Sequence, residues 1–232
     1  TRAVTADTAL VSVMAANNEI GVVQPIAEIG AIAKAQGALF HVDAAQAAGK
    51  IPLDVNAMQI DLLSLTGHKL YGPSGIGVLW GKYDLLAEMP PFNGGGEMIR
   101  EVSTDRVTYG EPPHRFEAGT PSIVPAIGLG AAIEYVNSIG KARIRAHEAE
   151  ISDYAHERLR EMNSIRIFGA SRDKGPILSF EPQRECQAEL ARVTGHDARW
   201  TVRPLAVGAE PGDGDVVQPS PAGVCELRPV DG

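Results

Sequence analysis

The run from Ala9 to Asp43, "ALVSVMAANNEIGVVQPIAEIGAIAKAQGALFHVD", decides the fold. Ala9–Met14 is a short apolar run with β-branched residues, the pattern of a buried strand. Asn17–Gly21, "NNEIG", is turn-like. Pro25 stands at a first helical position, and Ile26, Ile29, Ile32 and Ala33 then recur at helical spacing until Gly37. Ala38–Asp43, "ALFHVD", is the next strand. Strand, helix and strand over so short a span make a βαβ unit, which predicts a parallel sheet and an α/β fold.

Working outward, "IDLLSLTG" (Ile60–Gly67) and "GIGVLWG" (Gly75–Gly81) supply two further strands. Met89–Ser122 is rich in glycine and proline and reads as one long connection, of the kind that carries function. Val124–Gly140 and Lys141–Ser164 read as two helices broken at Gly140. Ile144, Ile151, Tyr154, Leu159 and Met162 are the apolar positions of the second. "IRIFG" (Ile165–Gly169) and "GPILSF" (Gly175–Phe180) resemble strands of a second domain. After Phe180 proline, glycine and acid crowd together without periodicity, and that tail reads as irregular or disordered. The expected organisation is 1–140, 141–180 and 181–232.

The chain has 232 residues, 44% of them hydrophobic, enough for a sizeable core. A net charge of −8 argues against nucleic acid or an acidic membrane surface as the main partner. No apolar stretch approaches the roughly 18 residues of a membrane span. The first residues lack a basic stretch followed by an apolar one, so a cytoplasmic location is expected. Two cysteines, Cys186 and Cys225, form no disulfide framework, and the six histidines show no metal-ligand spacing.

In a parallel α/β sheet ligands bind at the carboxyl ends of the strands. Three sets of polar residues fall there. Asn18 follows the first strand, Asp43 closes the second with Gln46 just beyond, and Thr66, His68 and Lys69 close the third. Asp43 alone has two readings, a helix N-cap or a carboxylate held against a ring nitrogen with Gln46 donating beside it. Lys69 alone is either a solvent-facing loop lysine or a partly desolvated amine able to form a Schiff base. Pyridoxal 5'-phosphate uses such a lysine, an acid at its pyridinium nitrogen, and hydroxyl or imidazole donors at its phosphate. No G-x-x-x-x-G-K-[ST], no G-x-G-x-x-G opening a helix after the first strand and no G-x-S-x-G is present.

"NNEIG", "HVDAAQAAGK", "GHKLYGPSGIGVLW", "GGGEMI" and "RFEAGTPSIVPAIGLGAAIEYV" together resemble the class-V aminotransferase superfamily, and within it the Suf-type cysteine desulfurases grouped with selenocysteine lyases. The resemblance runs from about residue 8 to about residue 180. It implies the large domain of a fold-type-I pyridoxal phosphate enzyme, with a mostly parallel sheet, and the incomplete start of a small C-terminal α/β domain. It implies that Lys69 forms the Schiff base and moves protons, and that Asp43 keeps the pyridine nitrogen protonated. Gln46 would donate to the ring's phenolic oxygen, with Asn18 nearby on cofactor or substrate. Thr66, standing where a serine is usual, and His68 would bind the phosphate. Thr120 would reach the phosphate of a partner subunit's cofactor, which implies a homodimer. The reaction would convert L-cysteine (or selenocysteine) to L-alanine and leave sulfur as an enzyme persulfide for an acceptor protein in iron–sulfur cluster assembly.

The sequence also departs from the family. An upstream histidine on the cofactor ring, an upstream threonine on the phosphate, and the "R-x-G-H-H-C" and "C-R-A-S" stretches are not found here. Cys186 in "QRECQAEL" and Cys225 in "AGVCELRP" do not match and read as incidental. A fragment whose tail is read out of frame after codon 180 is the expectation; flanking coding sequence without "R-x-G-H-H-C" in either other frame would remove it. A catalytically inactive remnant and another class-V pyridoxal phosphate enzyme are the alternatives.

Overall fold

The computed structural model describes residues 2–163, 165–169, 171 and 174–182. Cys186, Cys225 and almost all of the expected irregular tail lie outside the described residues. The βαβ unit forms as β1 (Leu10–Met14), α1 (Ile26–Ala35) and β2 (Leu39–Asp43). With β3 (Leu62–Thr66) and β4 (Gly77–Gly81) these make one four-stranded sheet in the order β1-β2-β3-β4. β1–β2 and β2–β3 are parallel, and β3–β4 is an antiparallel hairpin, so the sheet is mostly parallel as the pattern predicts.

Successive strand residues point to opposite faces. The face carrying Val11, Val13, Phe40, Val42, Leu63 and Leu65 packs with Ile26 and Ala33 of α1 in the main core. Gly30 permits the close approach of helix and sheet: a Cβ there would lie 2.3 Å from the Met58 carbonyl oxygen and 3.1 Å from the Phe40 ring.

One buried charge organises this layer. Asp61 is 3% exposed and sits just before β3. Its carboxylate accepts the Lys34 ammonium from α1, the Phe40 N–H at 2.8 Å, and the Lys82 ammonium at 2.8 Å from the residue after β4. Burial alone would raise its pKa; the bonds from Lys34, Lys82 and the Phe40 N–H outweigh that and hold it below the ordinary 3.8.

α2 (Tyr83–Glu88) follows the sheet. The Met89–Ser122 segment is not structureless. It holds a small antiparallel pair, β5 (Ile99–Val102) and β6 (Val107–Tyr109), with a bulge between Ile99 and Glu101, and a short 3₁₀ turn at His114–Phe116. Arg115 fastens it by donating from Nε to the Gly110 carbonyl at 2.9 Å and from the guanidinium to the Ala87 carbonyl.

α3 (Ile123–Ile139) and α4 (Lys141–Arg160) form as two helices on either side of Gly140. Leu129, Val136, Ile144 and Leu70 make a second core cluster. The expected apolar face of α4 is only partly right: Ile151 and Tyr154 are exposed, and His156 is buried instead.

The chain divides into two compact units, the first holding residues up to Asp153 with Ser171–Ile177, the second starting at Tyr154 within α4. The second unit contains β7 (Ile165–Phe168) and β8 (Ser179–Pro182), an antiparallel pair. β8 starts later than the "GPILSF" pattern suggests, because Gly175–Ile177 turns back on Gly21 in the first unit through the Gly175 N–H.

Candidate functional site

β2 and β3 run parallel with Asp43 in register with Ser64, so their carboxyl ends lie side by side. Asp43 therefore stands at the same sheet edge as Thr66, two residues beyond Ser64 on the same face. No helix begins at Asp43. Its Oδ1 instead accepts the Ala45 N–H at 2.8 Å, an Asx turn that starts the Ala45–Lys50 turn carrying Gln46. A carboxylate has about four acceptor sites, so this bond leaves capacity for a ligand. Gln46 is half-buried.

A 3₁₀ turn, Gly67–Lys69, follows β3 directly. Its backbone is tied from several directions. The Gly67 N–H donates to the Ile76 carbonyl at 2.9 Å, and the Gly67 carbonyl accepts the N–H of Leu70 at 2.9 Å and of Gly72 at 3.0 Å. Lys69 is half-buried and forms no ion pair among the described residues. His68 is exposed, and its Nδ1 lies 2.9 Å from Thr66 Oγ1. If the hydroxyl donates, the imidazole keeps its N–H at Nε2; if Nδ1 donates, the hydroxyl keeps its proton. One outward donor remains in either tautomer, which suits an anion.

Asn18 is exposed in the turn after β1. The residue that shapes the turn is Asn17, whose Oδ1 accepts the N–H groups of Glu19 at 2.9 Å and Ile20 at 2.8 Å. Thr120 lies exposed on the turn leading into α3, and no hydrogen bond among the described residues links it to the sheet edge. Asp43, Gln46, Thr66, His68 and Lys69 are thus brought to one edge; Asn18 borders it, and Thr120 is not drawn in.

Sequence reasoning missed a polar chain across the same sheet face. His41 Nδ1 lies 2.8 Å from Ser12 Oγ and its Nε2 lies 3.1 Å from Ser64 Oγ, so one imidazole spans three strands. Period-two alternation in "VSV" and "FHVD" was the available signal, since it sets Ser12, His41 and Asp43 on one face. Among the described residues no group of three or more histidine, cysteine or acidic side chains could hold a metal ion, and no single helix is long and apolar enough to cross a membrane.

The donor set fits pyridoxal phosphate: a carboxylate with spare acceptor capacity, an amide, a hydroxyl–imidazole pair with an outward donor, and an amine that forms no ion pair among the described residues. Comparison with known proteins points the same way. The family profile for aminotransferase class-V matches residues 1–195. A probable cysteine desulfurase of Streptomyces coelicolor is 49% identical over 179 residues, 76% of this chain and 43% of the relative. A cysteine desulfurase of Dickeya dadantii is 50% identical over 171 residues, 73% of this chain and 42% of the relative. Among solved structures, the cysteine desulfurase CsdA of Escherichia coli superposes with a TM-score of 0.75 at 32% identity, covering 84% of this chain and 49% of that one. The apo cysteine desulfurase of Thermococcus onnurineus gives 0.73 at 37% identity, covering 81% and 47%. The chain spans less than half the length of these relatives.

Proposed function

Because this chain belongs to the class-V aminotransferase family, whose members use pyridoxal 5'-phosphate, we propose that it supplies the cofactor-binding half of a cysteine desulfurase. The observation that carries the reading is the convergence of Asp43 and Gln46 with Thr66, His68 and Lys69 at the ends of two adjacent parallel strands.

Bound there, pyridoxal phosphate supplies an aldehyde that condenses with amines and a ring that withdraws electrons. Lys69 Nζ would hold the cofactor through its aldehyde and, as a free amine, would take the proton from the substrate Cα. The Asp43 carboxylate keeps a proton on the pyridine nitrogen. The Gln46 amide orients the ring through its phenolic oxygen, with Asn18 beside it. Thr66 and His68 donate to the phosphate, and Thr120 serves the phosphate site of a second copy in a homodimer. The substrate is L-cysteine, giving L-alanine and a sulfur taken by an enzyme thiolate, or selenocysteine, giving L-alanine and selenium; the sulfur passes to an acceptor protein for iron–sulfur cluster assembly in the cytoplasm. Residues 1–140 are read as part of the large domain, and 141–180 as the connecting helix and the start of the small one.

The test is borohydride reduction of the purified chain with pyridoxal phosphate, followed by peptide mapping. An adduct on Lys69 is expected, and Lys69→Ala should abolish both it and the visible absorbance without changing the melting temperature of the cofactor-free chain. An adduct spread over surface lysines would overturn the reading. The 232-residue chain should release little sulfide from L-cysteine, since neither cysteine stands in the family's sulfur-accepting stretch; robust release would refute that. A keto acid product in place of alanine and sulfide would indicate a transaminating relative.

A further inference from the structure

The two segments that carry the cofactor residues are fastened to each other away from the cofactor side. After Gln46 the chain reaches Gly49, whose φ is +77° and where a Cβ would lie 2.3 Å from Leu70 Cδ1. The positive φ favours glycine here, and without a Cβ the segment after β2 packs directly on the Leu70 side chain that follows Lys69. Leu70 is buried in the cluster with Leu129, Val136 and Ile144. One residue further on in each segment, Lys50 and Tyr71 meet, with Lys50 Nζ 5.9 Å from the Tyr71 ring centroid. Both reach the same atom of α4: Lys50 Nζ lies 3.3 Å from Glu148 Oε1, and the Tyr71 hydroxyl donates to it at 3.4 Å.

Tyr71 has φ 59°, a left-handed backbone that a bulky non-glycine residue rarely adopts. Such a conformation persists where its surroundings over-determine it. Here the buried Leu70 fixes one side, and Glu148 and the edge-on Tyr135 ring, 6.4 Å away centroid to centroid, fix the other. Burial first, then the adjacent Glu148 charge, raises the pKa of the Tyr71 phenol, so it remains a donor. Tyr71 is 53% exposed and its bond to Glu148 is long, so this contact adds little to global stability. A brace of this kind acts locally: it sets where the Lys69 turn stands relative to the Asp43–Gln46 segment.

Resting on the pyridoxal phosphate reading above, we propose that Glu148 of α4 is a positioning residue that, through Tyr71 and Lys50, holds the Lys69 turn in register with the segment bearing Asp43 and Gln46. The test uses the full 232-residue chain as wild type, Glu148→Ala, Glu148→Gln and Tyr71→Phe. Hydrogen exchange of the amides of Gly67–Gly72 should speed up roughly tenfold in Glu148→Ala while β1 and β2 amides keep their rates, as a local opening requires. Borohydride-trapped pyridoxal phosphate on Lys69 should accumulate more slowly in the same variant. Glu148→Gln, which keeps an acceptor for the phenol, should recover part of both effects. Unchanged exchange at Gly67–Gly72, or equal acceleration across β1 and β2, overturns the proposal. If wild type traps nothing on Lys69, the cofactor reading falls, and the positioning role with it, whatever the exchange data show for the loop. If wild type traps normally and Glu148→Ala traps at the same rate, the positioning role alone falls.

Discussion

One face of the β1–β4 sheet carries Val11, Val13, Phe40, Val42, Leu63 and Leu65 and is packed into the main core; the other carries Ser12, His41, Asp43, Ser64 and Thr66 and is half-open. Both faces come from the same three strands by simple alternation. The difference shows how a small region can fix its geometry and keep reactive groups at once. A one-residue slip of any strand would exchange the faces, pushing Phe40 and Val42 outward and Asp43 and His41 inward. The cost of that exchange pins the register, and the register in turn places Asp43 beside the end of β3. The apolar face secures the position of the polar one, which contributes little to stability itself.

This division of labour is open to direct attack. The largest stability loss should come from Phe40→Ala, which empties a fully buried site at the centre of the apolar face. A cost of about 3–5 kcal/mol is expected in urea unfolding; a cost below that of a polar-face variant would show that the apolar face does not dominate stability. Next is Asp61→Asn, which leaves Lys34, Lys82 and the Phe40 N–H facing a neutral group; both ammonium groups can reach water, so the expected loss is about 1–3 kcal/mol. The sign with pH follows from the lowered folded pKa. Stabilisation by Asp61 is fully present above the ordinary value of 3.8 and is lost as pH falls through the depressed folded value. The variant should therefore flatten the acid side of the stability–pH curve, and an unaltered acid side would show that other carboxylates govern it. The smallest effect should be that of His41→Leu. It gives up two hydrogen bonds to half-open serines at about 1 kcal/mol or less, and a larger loss would mean that the polar chain holds the sheet together.

Much of this was legible in the sequence. β1 to β3, α1, α3 and the start of α4 follow from apolar periodicity and from Pro25, because each packs one face into a core; β4 is marked by its apolar run although Val78, Leu79 and Trp80 are exposed. Asp43, Gln46, Thr66, His68 and Lys69 could be grouped because parallel strands bring their carboxyl ends to one edge. What escaped notice has physical reasons. β5 is exposed along its whole length, so no apolar alternation marks it against the glycine and proline around it. His156 is buried where Ile151 and Tyr154 are not, so the face α4 turns inward is decided by its surroundings rather than by its own pattern. Asn17, not its neighbour, holds the turn after β1, a choice made by backbone direction. Tyr71 and Glu148 are 77 residues apart, and nothing local in either announces the other.

The hairpin of β3 and β4 has a consequence for how the molecule comes to be folded. Among the described strands of this sheet it is the one antiparallel pair, and the Lys69 turn lies within its connection. Pairing β1 with β2 must wait for the closure of a longer loop and the placing of α1, whereas β3 and β4 are near neighbours along the chain. The turn that presents Lys69 thus belongs to the earliest part of the sheet able to form. Kinetic φ-values should be higher in β3 and β4 than in β1, and the reverse order would show that the parallel unit nucleates first.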